Sequence, residues 1–249
     1  MMEVLRALWL RQIKRYLRSR ARLVGSLGQP LLFLVALGFG FGPMYRKAGG
    51  GDFIQFLAPG VVAMGVLFTA MFSGIEVIWD KQFGFLKETL VAPVPRLSIM
   101  LGRTLGGATV ATVQGLLVLA CTFVAGFRLG DWTALPLVLV FLFLIALLFT
   151  GLGTALACRL EDMQGFQLIM NFLVMPIFFL SGALFPSEGL PSGLAMVMKL
   201  DPLSYGVDGL RGALGGACAN GLSVDLAVML GLSALALWLG AWLFEGIQA

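Results

Sequence analysis

The stretch LPLVLVFLFLIALLFTGLGTAL, residues 135–156, runs for 22 positions without a charged side chain. A helix needs about 20 apolar residues to cross the ~30 Å hydrocarbon core of a bilayer. Only a segment that satisfies its own backbone N–H and C=O groups can do so. The run therefore predicts a membrane-spanning helix, with Pro136 near its first turn, where a missing N–H is harmless. Working outward, five runs of the same character complete the chain: Val24 to Phe41, Ala58 to Trp79, Leu105 to Phe127, Leu168 to Leu184 and Val224 to Phe244. The whole 249-residue sequence agrees, with 59% apolar side chains, 12% charged ones and a mean hydropathy of +0.96. A soluble domain cannot be surfaced from that composition. The expected fold is an all-α integral membrane protein with six transmembrane helices and nothing large outside the bilayer.

Prolines mark the irregularities. Pro59 is placed at or near the first turn of the second span, whereas Pro176 lies inside the fifth run and should kink or interrupt it. Between the last two spans, residues 185–222 are moderately apolar but broken by Pro186, Pro191, Pro202 and several glycines. This segment is too interrupted for another crossing and is expected to dip into the bilayer or lie on its face.

Seven of the seventeen basic residues fall in the first 22 positions: Arg6, Arg11, Lys14, Arg15, Arg18, Arg20 and Arg22. Val4, Leu5, Leu8, Trp9, Ile13, Tyr16 and Leu17 recur among them at helical spacing, so residues 1–23 read as an amphipathic helix lying along an anionic leaflet, its basic side chains reaching the headgroups. The charged region is too long for a signal peptide, and no small-residue cleavage site follows it. With both termini cytoplasmic, that side also receives Lys81, Lys87, Arg96, Arg103 and Arg159. The twelve basic residues inside then face five outside, Arg46, Lys47, Arg128, Lys199 and Arg211, as the positive-inside rule favours. The net charge of +4 and pI near 9.2 thus reflect topology rather than a nucleic-acid partner.

Much chemistry is excluded. The chain has no histidine, hence no histidine-ligated haem, no zinc-protease helix and no imidazole base. Cys121, Cys158 and Cys218 have neither disulfide-framework nor metal-ligand spacing and read as small hydrophobic residues. No Gly-Lys dipeptide is present, so a phosphate-binding Walker loop is missing and the chain does not hydrolyse ATP by itself. Gly38, Gly40 and Gly42 end a membrane run rather than follow a strand, and are no dinucleotide fingerprint. Gly102 with Gly106, and Gly212 with Gly216, permit close backbone approach, a weak signal for dimerisation.

Ionisable residues inside the runs are few, against an ion or proton relay. Glu76 stands out, four residues before Asp80 and one turn inside the expected cytoplasmic end of the second span. Its first reading is a residue at the water interface, its second a conduit or gating role. The loop that follows, DKQFGFLKETLVAPVPR (residues 80–96), alternates charged and apolar side chains as a short helix on the inner face would. Phe83, Leu86 and Leu90 share one face, Lys81, Lys87 and Glu88 remain available to a soluble partner, and Pro93 and Pro95 end the helix.

Three segments in order, FLAPG (Phe56 to Gly60), GFLKETLVAPVPR (Gly84 to Arg96) and DPLSYGVDGLRGAL (Asp201 to Leu214), resemble the permease subunits of type-2 ATP-binding-cassette exporters, and most closely the daunorubicin-resistance and nodulation-export type. The resemblance spans essentially the whole chain. It implies a cytoplasmic amphipathic connecting helix (1–23), a permease domain (24–249), a coupling loop (80–96) received by a separate ATPase, and an extracellular re-entrant hairpin (185–222). Matched by motif, Gly84, Lys87, Glu88, Leu90 and Pro93 occupy the coupling segment, and Asp201, Pro202, Tyr205, Asp208 and Arg211 the hairpin. It further implies two ATPase subunits holding ATP and Mg²⁺, no cofactor in this chain, a second copy or a homologue as partner, and a bacterial or archaeal cytoplasmic membrane. Phe68, Phe72, Phe172 and Phe179, with Glu76, are the candidate pathway residues for an amphipathic or lipid-like cargo, a drug or a glycan-linked molecule. Two rival classes are a secondary transporter or channel, which needs no ATPase, and a membrane enzyme or purely structural assembly subunit, of which the enzyme would have to rely on carboxylates such as Asp201 and Asp208.

Overall fold

The computed structural model describes residues 2–47, 51–85, 94–185 and 191–246. Among these, all regular structure is helical: α1 (Met2–Arg18), α2 (Arg20–Lys47), α3 (Phe53–Phe72), α4 (Ile75–Gln82), α5 (Arg96–Val124), α6 (Leu135–Arg159), α7 (Met163–Ile169), α8 (Met175–Leu180), α9 (Ser192–Leu200), α10 (Pro202–Ala213) and α11 (Leu222–Glu245). Six helical stretches are long and apolar enough to cross a membrane: α2, α3 with α4, α5, α6 with a short 3₁₀ turn before it, α7 through α8, and α11. They coincide with the six runs read from the sequence, most of them extending further at each end.

Helix α3 is the axis of the bundle. From Leu57 to Leu67 it is fully buried, enclosed by α2, α5, α6 and α10. It begins at Phe53, capped by Asp52, whose Oδ1 accepts from the Ile54 N–H at 3.0 Å. Pro59 therefore lies inside the helix rather than in its first turn. Gly60 explains the motif's glycine: a Cβ there would stand 2.3 Å from the Ala183 carbonyl oxygen, so only glycine admits the turn that follows α8.

The fifth span is irregular where Pro176 predicts. A π-helical turn, Met170–Val174, separates α7 from α8. Proline cannot donate to the carbonyl four residues back, and a wider turn absorbs the mismatch.

Helix α1 departs from the expectation for its two faces. It ends at Arg18, and Arg20 and Arg22 belong to the first span. Its apolar side packs on α5 rather than on lipid: Gly102 and Gly106 form the seat, with a Cβ at 106 only 2.8 Å from the Gln12 side chain. The Trp9 indole donates to Thr109 Oγ1 at 3.0 Å, and the Tyr16 hydroxyl to Gln114 Oε1 at 2.5 Å. The four-residue glycine spacing thus serves a contact within the chain. The first span also runs past Gly38, Gly40 and Gly42 to Lys47.

At the end of the bundle away from α1, α9 and α10 meet at a corner, Asp201–Pro202, and α10 turns back to pack on α3, α6 and α11. Leu203, Val207 and Leu210 are fully buried there. The segment is thus a helical corner with one exposed arm and one buried arm.

Candidate functional site

The second span breaks at Ser73–Gly74, and α4 continues from it as a separate helix. A Cβ on Gly74 would lie 2.4 Å from the Gly153 carbonyl oxygen, so α4 and α6 cross with backbones nearly touching. Glu76 and Asp80, one turn apart, share the face of α4 toward α1. Both are buried, at 4% and 5% exposure.

Arginines from three helices converge on this pair. Arg22 donates to Glu76 Oε1 at 2.5 Å, and Arg15 stands 3.7 Å from Oε2. Arg103 of α5, itself buried, pairs with Asp80 Oδ2, and Arg11 lies 3.5 Å from Oδ1. Four guanidinium groups thus meet two carboxylates. Glu76 is neither exposed at a water interface nor alone: it is a buried anchor for the basic helix, whose arginines turn inward instead of only reaching headgroups.

Other side chains of α4 fasten it to the corner between α6 and α7. Lys81 Nζ donates to the carbonyls of Ala157 (2.9 Å), Cys158 (2.8 Å) and Leu160 (3.3 Å), filling the acceptors that a helix end leaves open. Gln82 Nε2 donates to the Glu161 carbonyl at 3.1 Å, and the Trp79 indole contacts Met163 Sδ at 2.7 Å. Lys81 is therefore not available to a soluble partner, and residues 80–82 belong to the helix rather than to the loop. Five helices, α1, α2, α5, α6 and α7, hold α4 by side-chain contacts.

The chain leaves α4 through Phe83 and Gly84. Gly84 has φ +79°, a left-handed turn that glycine adopts without steric cost, and Phe83 and Phe85 flank it exposed. Of the expected coupling residues, Lys87, Glu88, Leu90 and Pro93 lie outside the described residues. Arg96 Nη1 donates to the Glu245 carbonyl at 2.6 Å, tying the start of α5 to the end of α11.

Beside α4 lies a cavity of about 350 Å³ bounded by α1, α2, α3 and α5. Phe68, Phe72 and Glu76, three of the five candidate pathway residues, line it together with Gln12, Tyr16, Arg22, Ser26, Gln29 and Thr69. The other two lie elsewhere. Phe172 is 81% exposed on the π turn, and Phe179, half-exposed, meets Phe178 edge-on.

Four of the five hairpin residues have hydrogen-bond partners, and the fifth, Pro202, begins a helix. Asp201 caps α10, its Oδ1 accepting from the Leu203 N–H at 2.9 Å, and Pro202 occupies the first turn. Burial pushes the Asp201 carboxyl up to about 7. The Tyr205 hydroxyl donates to the Lys199 carbonyl at 2.9 Å, closing the corner. Asp208 accepts from the backbone N–H groups of Ala219 and Asn220 at 3.0 and 2.9 Å. Arg211 donates to the Gly182 carbonyl at 2.9 Å and stacks 4.5 Å from the centroid of Phe56, joining this helix to the second span and the turn after α8. The first and third of the motifs read from the sequence thereby meet. Cys218 lies between Asp208 and Asp225, its Sγ 3.5 and 3.2 Å from their oxygens. The three could present metal-ligand atoms within 4.8 Å of one another, but backbone N–H groups already occupy Asp208. Burial pushes the Cys218 thiol up to about 12, with Asp225 and Asp208 adding to the effect, so at neutral pH it stays protonated.

The sequence reading missed the Asp80–Arg103 pair and the role of Lys81. A signal existed in the i, i+4 carboxylates and in an arginine on the border of an apolar run, but their partners lie far apart in the chain.

Comparison with known proteins agrees with this architecture. A family model described as "ABC-2 type transporter" matches residues 3–214. Nodulation protein J of Rhizobium leguminosarum bv. trifolii is 30% identical over 208 residues, covering 82% of this chain and 79% of that protein. Nodulation protein J of Rhizobium meliloti (strain 1021) is 27% identical over 208 residues, with 82% and 79% covered. The ycf38 protein of Cyanophora paradoxa is 28% identical over 201 residues, with 78% and 68% covered. With its six apolar helices, and with a match that takes in the arginine-rich helix, the braced α4 and the α9–α10 corner, the chain belongs to the ABC-2 type transporter family, as a permease component with a role in membrane transport.

Proposed function

We propose that this chain is the transmembrane subunit of an ATP-driven exporter, moving an amphipathic, lipid-like, drug or glycan-linked substrate out of the cytoplasm or inner leaflet. A separate ATPase holding ATP and Mg²⁺ powers it, and a second copy or a homologous permease completes the pathway. Both termini face the cytoplasm of a bacterial or archaeal cell, and the α9–α10 corner forms a re-entrant element at the outer face.

The observation that carries this reading is the bracing of α4, the helix that leads directly into the loop at Gly84. A push on that loop reaches α1 and α2 through Glu76 and Asp80, α5 through Asp80, and the α6–α7 corner through Lys81, Gln82 and Trp79. The π turn in the fifth span and the Ser73–Gly74 break in the second give the bundle two places to bend. Nucleotide binding at the ATPase would then favour one arrangement of the spans over the other, and access would change sides by population shift. The residues for which this makes the strongest demand are Lys87 and Glu88, whose charges would meet the ATPase. Co-purification of the chain with an ATPase, and ATP hydrolysis by that complex stimulated by substrate in lipid, test the proposal. A chain that co-purifies with no co-expressed cassette ATPase would overturn it.

A further inference from the structure

Helix α1 carries an open groove of about 910 Å³ on the side turned away from α5. Arg11, Lys14, Arg15 and Arg18 line it, spread over two turns of helix or about 10 Å, and no carboxylate does. Lys14 and Arg18 have no ion-pair partner among the described residues. Arg11 and Arg15 are only partly engaged. They stand 3.5 and 3.7 Å from Asp80 and Glu76 with much of each side chain still exposed, and a guanidinium has N–H groups to share between two acceptors. Arg22 and Arg103 make the close pairs on those same carboxylates. Six basic groups therefore meet two acidic ones, an excess of four positive charges.

The groove ends where the chain enters the bilayer, since Arg18 closes α1 and the first span begins at Arg20. Leu10 lines its edge, and Leu17, seven residues on and so on the same flank of the helix, is 58% exposed. An acidic protein surface would leave that apolar edge in water, whereas a phospholipid covers it with hydrocarbon. One phosphate can meet two cations four residues apart on a helix. The groove holds two such pairs, Arg11 with Arg15 and Lys14 with Arg18. We propose that it is a discrete site for an anionic phospholipid with two phosphates in its headgroup, of the diphosphatidylglycerol class. Basic pockets beside membrane spans bind such headgroups. Through Arg11 and Arg15 the lipid is tied to the carboxylates that anchor α4. A general attraction of the basic helix to an anionic leaflet would use every exposed charge alike, but this site requires these four side chains. It needs only that the chain reside in a membrane and is independent of the ATPase partner.

The test is native mass spectrometry of the purified full-length chain with tetraoleoyl diphosphatidylglycerol and dioleoyl phosphatidylglycerol at equal phosphate. A basic side chain against an anionic lipid contributes roughly fivefold in affinity, so a second phosphate that reaches two more of them should add about tenfold or more. One diphosphatidylglycerol per chain should therefore be retained at least about tenfold over phosphatidylglycerol. Lys14→Gln with Arg18→Gln, which breaks no ion pair within the chain, should lower that retention about tenfold at an unchanged unfolding temperature in detergent. Arg6→Gln with Arg20→Gln removes the same charge from positions outside the groove and should change retention by less than about twofold. Equal retention of the two lipids would overturn the proposal. An equal loss in both double variants would also overturn it, by showing attraction to charge in general. So would displacement of the lipid by equimolar inorganic pyrophosphate, which would assign the groove to a soluble diphosphate.

Discussion

Arg103→Leu isolates the most deeply buried arginine in the anchor of α4. Arg103 and Asp80 are each 7% exposed at the side chain and pair directly. Removing one partner of a buried ion pair typically costs about 3–5 kcal/mol, because the other charge is left uncompensated. Asp80 would keep Arg11 at 3.5 Å, but that side chain is 44% exposed and its attraction is weakened by solvent. The expected loss lies near the lower end, about 3 kcal/mol, which is more than about a hundredfold in the folding equilibrium at 1.4 kcal/mol per tenfold. Reversible unfolding in mixed detergent micelles, followed by far-UV circular dichroism, measures it. The double variant Arg103→Leu with Asp80→Leu removes both charges and should recover most of the loss, since a buried pair contributes little beyond an apolar replacement of similar volume. A single variant within about 1 kcal/mol of the parent, or a double variant no better than the single, would refute the reasoning that Asp80 depends on Arg103.

Three further expectations follow from other parts of the molecule. Glu88→Lys in the loop should abolish ATP-coupled transport while membrane insertion, read by protease accessibility, is unchanged; full coupled activity would count against the loop as the ATPase contact. Gly106→Leu forces a side chain where a Cβ already comes within 2.8 Å of Gln12, so α1 should lift from α5, at a cost of roughly 1–3 kcal/mol, with Trp9 fluorescence shifting as its bond to Thr109 is lost. Asp201 has its ordinary value of 3.8 pushed up to about 7 by burial, so the folded state holds its proton more tightly than the unfolded one. Stability should consequently fall as pH rises from about 4 to about 7 and level off above, and Asp201→Asn, which still caps α10, should flatten that slope; an identical pH profile would show that Asp201 does not carry it.

The six spans were legible because crossing a bilayer demands long apolar runs, and the kink in the fifth because proline cannot complete the hydrogen-bond ladder at Pro176. The anchor of α4 was far less legible. Glu76 and Arg22 are 54 positions apart and Lys81 and Cys158 are 77 apart, and nothing local distinguishes an arginine that seeks headgroups from one that turns inward to a carboxylate. The same holds for Gly102 and Gly106, whose spacing permits close approach without naming the helix that approaches. At the far end, Asp201, Tyr205, Asp208 and Arg211 were singled out through their motif, and the physical reason appears only in three dimensions: each side chain holds a turn or joins α10 to a neighbouring element. Phe172 and Phe179 show the opposite case, since an aromatic residue in an apolar run carries no sign of which way it faces.

The most direct measurement of the central claim is vectorial transport in proteoliposomes containing the chain with and without its ATPase. The account predicts substrate movement only when ATPase, ATP and Mg²⁺ are all present. Nucleotide-independent transport by the isolated chain at a comparable rate would contradict it.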